Sequence, residues 1–374
     1  MSIQTFRSRR LTRREALVLL GGGAGLALAP AIGGRGGLFA PSVEAWAARK
    51  KVTFPRGAII RTLQKDLPPD ALASGTTLFH EHLSIDLPQF GPRPPNAPPL
   101  QPPPTDDVNL IVEEVKAATR DGVICIVDGG HPDMKRKMDT LKTIADKTGM
   151  FIVASGGYYM ERVYPPDIAT STEDQIAEGL AREANANRYG AFGEIGENPD
   201  AAMSAEERKV FRAVGKAHLR TNLPIFTHNA YGTGPNVPKD AGLRQLDVLE
   251  SVGVKPQHIV IGHTCCLDDP TADVIKQIAK RGAFVGFDRV TGGRVPDEGK
   301  IKMLLAFFEA GYADQLLLSS DHTGSRTLDA PAYRRTTSGF VPKLREAGVN
   351  DDVIHGILVD NPRRFLAFVP KRTS

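Results

Sequence analysis

Two spacings alternate along most of the chain. From residue 76 onward, short apolar runs are separated by longer stretches in which apolar residues recur every three or four positions. The short runs read as strands buried on both faces, the longer stretches as amphipathic helices. The pattern predicts strands at 76–83, 123–128, 151–154, 191–195, 224–228, 259–263, 283–287 and 316–321. It predicts helices at 106–120, 135–148, 172–189, 204–220, 240–251, 271–281 and 300–310, then two more near 332–347 and 351–359. Ser204, with Glu207 three residues on, marks one helix start as a capping box. Eight strands, seven of them reached through helices, predict the α/β class and a (β/α)8 TIM barrel. An open doubly wound sheet is the alternative. No Gly-x-Gly-x-x-Gly follows the first strand, so the dinucleotide-binding form of that sheet has no support.

The first 48 residues break the pattern. Arg7, Arg9, Arg10, Arg13 and Arg14 precede an apolar run over 16–32, which Gly21-Gly22-Gly23 interrupts, and Ala45-Trp46-Ala47 offers small residues for cleavage. Thr12-Arg13-Arg14-Glu15-Ala16-Leu17 resembles the twin-arginine export motif. The domain reading is therefore a cleaved twin-arginine signal peptide at 1–48 and one barrel domain at 49–374, with a periplasmic or extracellular destination. An uncleaved anchor is the alternative; a spanning helix wants about 20 consistently apolar residues. The twin-arginine route resembles one that carries folded, cofactor-loaded proteins. Residues 88–104 hold nine prolines and read as a loop that follows the first barrel strand.

Composition narrows the partners. Residues 1–48 contain six Arg and two Glu, against 47 basic and 43 acidic residues in the whole chain, so the remainder balances at 41 of each. A neutral mature chain has no nucleic-acid footprint. Three cysteines make no disulfide framework: Cys265 and Cys266 are adjacent and a poor pair, and Cys125 sits in an apolar run as core.

The chemistry gathers at strand ends. In a strand, positions i and i+2 share a face, so His80 and His82 project together and Glu81 points away. Glu194, His228, His263 and Asp321 each end a predicted strand. In such a barrel, active sites lie at the C-terminal ends of the strands, so all six converge on one mouth. Four imidazoles and two carboxylates suit zinc, and also manganese, iron, cobalt or nickel. Six ligands exceed the needs of one catalytic zinc and suit two divalent metal ions about 3.5–4 Å apart. Glu194, on a middle strand, fits as the bridge. A water deprotonated by two cations is the expected nucleophile, and Asp321 can both ligate and take its proton. His131 ends the second strand and faces the mouth, where it binds substrate or caps a loop. His218, His258 and His355 carry no such signal, and His322 points the other way from Asp321.

His80-x-His82, Glu194, His228, His263 and Asp321, in this order on a barrel, resemble the amidohydrolase superfamily and, within it, the phosphotriesterase family. Ile261-Gly262-His263-Thr264, Val285-Gly286-Phe287-Asp288-Arg289 and the tail Asn361-Pro362-Arg363-Arg364-Phe365 extend the resemblance over nearly the whole mature chain. The resemblance implies His80, His82 and Asp321 on a more buried metal and His228 and His263 on a more exposed one. Phosphotriesterase proper bridges with a carboxylated lysine, and no lysine stands in 192–198. Glu194 there resembles the branch of phosphotriesterase homology proteins; Glu197 is the second candidate but lies past the strand end. Arg289 and Tyr159 match positions of the lactonase-like members that contact substrate, with a surface charge as the alternative for Arg289. The expected activity is metal-dependent hydrolysis of an ester-type bond, in a lactone, a carboxylic ester or a phosphotriester. Amide hydrolysis on the same metals and a non-catalytic metal-binding barrel are the alternatives. The expected partners are a small-molecule substrate and the twin-arginine export machinery, with a homodimer as a further option. Arg13→Lys combined with Arg14→Lys should trap the precursor in the cytoplasm; cell fractionation that finds it exported normally points to another route.

Overall fold

The computed structural model describes residues 52–88, 100–232, 237–328 and 331–371. The signal-like segment and residues 89–99 of the proline-rich loop lie outside the described residues. A short antiparallel hairpin, β1 (Ile60–Arg61) with β2 (Asp66–Leu67), comes first, and the sequence pattern did not predict it. Eight strands follow: β3 (Thr76–Glu81), β4 (Val123–Asp128), β5 (Phe151–Gly156), β6 (Ala191–Gly196), β7 (Ile225–His228), β8 (Ile259–Ile261), β9 (Phe284–Phe287) and β10 (Leu316–Leu318). They form one sheet in chain order, each pairing parallel with the next.

Among the described residues, seven α-helices stand between the strands: α1 (Val108–Arg120), α2 (Met138–Thr148), α3 (Glu173–Ala186), α4 (Ala205–Thr221), α5 (Ala241–Ser251), α6 (Asp273–Lys280) and α7 (Asp297–Glu309). The predicted capping box at Ser204 and Glu207 forms at the start of α4. The chain ends in α8 (Val341–Glu346), α9 (Asp351–His355) and α10 (Asn361–Leu366). The terminal segments are less regular than predicted: a π-helical stretch over Arg335–Phe340 leads into α8, and another over Gly356–Asp360 joins α9 to α10.

The period-two alternation of the strands sorts their side chains into two layers. Phe79, Val127, Val153, Phe226, Val260 and Leu317 fall in one buried cluster, the barrel interior. Leu78, Ile126, Ile152, Ile225, Ile259 and Leu318 fall in another, packed against the helices. Phe365 and Leu366 of α10, with Ile60 and Leu67 of the hairpin, join the interior cluster and close its lower end. The tail motif serves this closure: Asn361 Nδ2 donates to the carbonyls of Ala313 and Leu316 at 2.8 and 2.7 Å. The first and last strands meet beyond their regular ends. His82 N donates to His322 O at 2.9 Å, and Asp321 N to His80 O at 3.2 Å.

Candidate metal centre

The register of β3 against β4 shifts between Leu78 and Glu81. Phe79 belongs to the interior cluster, yet the ring of His80 also lies over interior Phe226, at 5.2 Å. A bulge of this kind re-aims side chains, and here it turns the His80-x-His82 pair into the mouth. Gly129, just past β4, lets the pair settle: a Cβ there would come within 2.8 Å of His80 Cδ2 and 3.2 Å of His82 Cε1. His263 and Asp321 lie beyond the ends of β8 and β10, and both take the left-handed backbone, with φ of 54° and 49°.

All six predicted ligand residues come together; five are buried, and Asp321 is half-buried with its side chain only 6% exposed. Glu194 sits at the centre. Its Oε1 lies 3.1 Å from His82 Nε2, and its Oε2 lies 3.0 Å from His228 Nδ1, 3.3 Å from His263 Nε2 and 3.4 Å from His80 Nε2. Asp321 Oδ1 lies 3.1 Å from His82 Nε2 and 3.7 Å from His80 Nε2. Three overlapping groups of the described residues could each hold a metal ion: His80, His82, Glu194 and Asp321; Glu194, His228 and His263; and His80, His263 and Asp288. Glu197 is in none of them. Burial and nearby Glu207 instead push its carboxyl up to about 8.

One residue that sequence reasoning passed over ties these groups together. Asp288, just past β9 and fully buried, accepts from His80 Nδ1 at 2.9 Å, His263 Nδ1 at 2.9 Å and His263 N at 2.8 Å. It ends a strand like the others, so the strand-end logic that found His228 would have found it. Lys300 was also missed. It lies on α7 with no exposed surface, and its Nζ donates to Arg289 O at 2.7 Å and Gly292 O at 2.5 Å, which fixes the loop that carries Arg289. No apolar-pattern signal marks a lysine for the interior.

The electrostatics follow from burying so many ionisable groups together. Burial alone would lower each histidine. For His80, Glu194 and Asp288 override it and hold the imidazole well above its ordinary value. Against the same burial, Asp321 and Glu194 lift His82 to about 9, and Asp288 lifts His263 to about 9. His228 goes the other way, to about 4, because burial and neighbouring His263 outweigh Glu194. Burial would raise the carboxyl of Glu194, but the histidines hold it well below the usual range. Asp321 is likewise held far below it, against burial, chiefly by Arg289 and His82.

The expected substrate contacts divide. Tyr159 is buried beside His228, with its hydroxyl 3.4 Å from Nδ1 and its ring 4.7 Å from the imidazole. Arg289 is partly exposed and donates from Nε to Asp321 Oδ2 at 2.6 Å. It is thus an ion-pair partner of the site, and the surface-charge alternative is set aside. His131 has no exposed surface, and both ring nitrogens are engaged: Nδ1 with Asp133 Oδ1 at 2.5 Å and Nε2 with the Glu194 carbonyl at 3.0 Å. The reading of His131 as a substrate contact is therefore corrected to its alternative, a loop cap, which here also steadies Glu194. His322 turns away as expected, with Nε2 3.5 Å from Glu114. Cys125, Cys265 and Cys266 are buried free thiols. A cavity of about 460 Å³ opens among the loops after β7, β8 and β9, between Tyr231, Val237, Lys239, Cys266, Arg294 and Val295.

Known proteins share this arrangement's frame. The phosphotriesterase homology protein of Escherichia coli (strain K12) is 30% identical over 302 residues, covering 78% of this chain and 98% of that protein. A crystal structure of the Escherichia coli homology protein, with phosphate in its active site, aligns with a TM-score of 0.68 at 27% identity, covering 79% of this chain and 99% of that one. An aryldialkylphosphatase of Saccharolobus solfataricus is 29% identical, covering 78% of this chain and 95% of its own. An N-acetyltaurine hydrolase of Xenopus tropicalis is 26% identical, covering 83% and 98%. Residues 65–366, from the hairpin to the last helix, match the phosphotriesterase family, and the chain belongs to that family.

Proposed function

We propose that the chain is a metal-dependent hydrolase that cleaves an ester-type bond in a site for two divalent cations. The observation that carries this reading is the placement of Glu194, whose Oε1 faces His82 and whose Oε2 faces His228, His263 and His80, so that one carboxylate touches both groups of ligand-type side chains. His80, His82 and Asp321 would hold one cation, His228 and His263 the other, with Glu194 shared between them. The donor set fits: Asp288 occupies His80 Nδ1, which leaves His80 Nε2 buried and without a hydrogen-bond partner. A buried ring nitrogen in that state is costly; in the metal-free chain the nearby carboxylates favour a proton there, and a cation would take the lone pair once that proton leaves. Mixed imidazole and carboxylate donors suit zinc first, and manganese, iron, cobalt or nickel as well.

When bound, such a pair of cations supplies a water of pKa about 7 and a Lewis acid for the substrate oxygen. The chain's own residues do the rest. Asp321 takes the proton of the attacking water at Oδ2, the oxygen that Arg289 otherwise holds. A substrate oxygen that draws the Arg289 fork away leaves Oδ2 free to do so. Tyr159, above His228, orients the substrate and keeps bulk water from that side. The aryldialkylphosphatase among the relatives supports an ester-type substrate. Amide hydrolysis by the same residues is the second reading, supported by the N-acetyltaurine hydrolase. A non-catalytic barrel is disfavoured, because every ligand-type residue is retained and converged. We further propose that the enzyme works outside the cytoplasm, on the strength of the twin-arginine-like segment.

A panel of lactones, aryl esters, phosphotriesters and amides, offered to metal-reconstituted protein, tests the reaction class; turnover of amides alone would replace the ester reading with the second one. Loading is expected to release protons. His82 and His263 are lifted to about 9, so in the metal-free chain they are protonated at neutral pH, and a cation must displace those protons. Apparent zinc affinity should therefore rise with pH between about 7 and 9. Calorimetry in buffers of different ionisation enthalpy should count more than one proton released; a pH-independent affinity contradicts this. Glu194→Gln should lower metal content and activity together, since an amide supplies no anionic bridge, and bicarbonate should have no effect because no lysine needs carboxylation. Two metals and full turnover in that variant rule Glu194 out as the bridge. Asp321→Asn keeps an oxygen donor but loses the proton acceptor, so kcat should drop about 10²–10⁴-fold for every substrate alike. Changes at Arg289 or Tyr159 should shift the ranking of substrates instead. Near-parental kcat in a two-metal Asp321→Asn sample defeats the assignment of the acceptor.

A further inference from the structure

Glu81, the last residue of β3, stands between His80 and His82, and its side chain points out of the mouth into the seam where the first and last strands meet. It has no exposed surface. Its Oε1 accepts from Ser319 Oγ at 2.7 Å, Ser320 N at 2.9 Å and Ser320 Oγ at 2.9 Å. Its Oε2 accepts from Ser320 Oγ at 2.9 Å and His322 N at 2.7 Å. Every group within hydrogen-bond reach of the carboxyl is a donor, an arrangement that suits the ionised form and works against the burial that raises it. The two backbone N–H groups belong to the residues on either side of Asp321. Between those two anchored amides, Asp321 takes φ 49°, a left-handed conformation uncommon for residues with a Cβ, although Asp enters it more readily than most. Two further contacts tie the segment to β3: Ser319 Oγ accepts from His80 N at 3.1 Å, and Asp321 N donates to His80 O.

We propose that Glu81 is a positioning residue for Asp321, a buried carboxylate that clamps both flanking amides and so aims the Asp321 side chain at the His82 side of the centre. The clamp links the segment after β10 to the strand that supplies His80 and His82, so the three members of one cation position are set by a single anion behind them. His228 and His263 sit on other strands and do not touch Glu81. Its loss should therefore disturb one cation position and spare the other. This inference rests on the proposed role of Asp321 only where turnover is the readout; the geometry and the cation affinities test it without that role.

The test is Glu81→Gln, which keeps the shape but turns an amide N–H₂ toward one of the two backbone donors. Cobalt is titrated into the metal-free full chain, and its d–d absorption follows the two binding steps. One dissociation constant should rise at least tenfold while the other stays within threefold. A crystal structure of the variant should show Asp321 out of its left-handed conformation. In the fully loaded variant kcat should fall 10- to 100-fold with KM within about threefold, the mark of a misaimed acceptor rather than a lost binding contact. Where Glu81→Gln does not fold, Glu81→Asp takes its place, since its shorter reach cannot hold both amides, and the same outcomes apply. Unchanged affinities with an unchanged Asp321 backbone overturn the proposal, and so does equal weakening of both cations, which marks a general structural role. Asp321→Asn is measured alongside. If it turns over normally, the proposed role of Asp321 fails by itself, and the two affinities still decide on Glu81.

Discussion

The carboxylate of Asp288 is the interaction on which the centre depends. It takes one hydrogen bond from Nδ1 of His80 and another from Nδ1 of His263, two rings that stack 5.4 Å apart. A neutral histidine that donates from one ring nitrogen presents a lone pair at the other, so once the second proton is displaced each ring can ligate through Nε2. Asp288 therefore fixes the tautomers of both rings at once and turns both Nε2 atoms toward Glu194. Its third bond, from His263 N at 2.8 Å, holds that residue in the left-handed backbone its position demands. That conformation costs roughly 1–2 kcal/mol for a residue with a Cβ. A charge-assisted hydrogen bond of about 1.5–3 kcal/mol is large enough to offset it.

Burying seven ionisable side chains at one barrel end is unfavourable unless they compensate one another. The histidines and carboxylates here do so in a metal-free chain by sharing protons: three imidazoles are raised, and Glu194, Asp288 and Asp321 are lowered. The same contacts that attract protons would attract divalent cations, which carry more charge in the same space. The barrel supplies what neither ion can, fixed positions. His80 comes from a bulged strand, Glu194 from β6, His228 from β7, and His263, Asp288 and Asp321 from backbone that has just left β8, β9 and β10. Because each strand is anchored below by the interior cluster and by α10, displacing one ligand means moving a strand through a packed core.

The apolar pattern revealed the barrel because buried parallel strands and amphipathic helices have different periods, and neither period depends on what the site does. The strand-end residues were legible for the same reason: His228 and Glu194 are polar where an apolar run stops. Asp288 obeys that rule as well, polar where the apolar run of β9 stops. Glu81 was read correctly as pointing away from the histidines, but alternation says nothing about what lies on the other side of the seam, 238 residues later in the chain. His131 illustrates the opposite error. A histidine facing the mouth suggests substrate, and only Asp133 and the Glu194 carbonyl, contacts invisible to spacing, show that both nitrogens are spoken for. The hairpin of β1 and β2 is too short to leave a periodic signal. Lys300 was illegible because its burial depends on two carbonyls of a loop, not on any pattern of its own helix.

Arg289 has two opposed effects on Asp321, and their opposition bears on the proposed reaction. At 2.6 Å the guanidinium stabilises the carboxylate and leaves it a poor proton acceptor. Yet Arg289 is partly exposed, unlike the buried ligands, and its five donors in a planar fork also suit the carbonyl or phosphoryl oxygen of an incoming substrate. If the fork turns to the substrate, Asp321 loses its strongest stabilising charge and gains basicity when there is something to hydrolyse. After the proton has moved, the guanidinium's return would favour ionised Asp321 and drive the proton onward to the leaving group. An alkoxide or phenolate leaving group accepts such a proton late or not at all, whereas an amine must receive it for the bond to break. The contact between Arg289 and Asp321 is thus where ester and amide chemistry would diverge on one set of ligands.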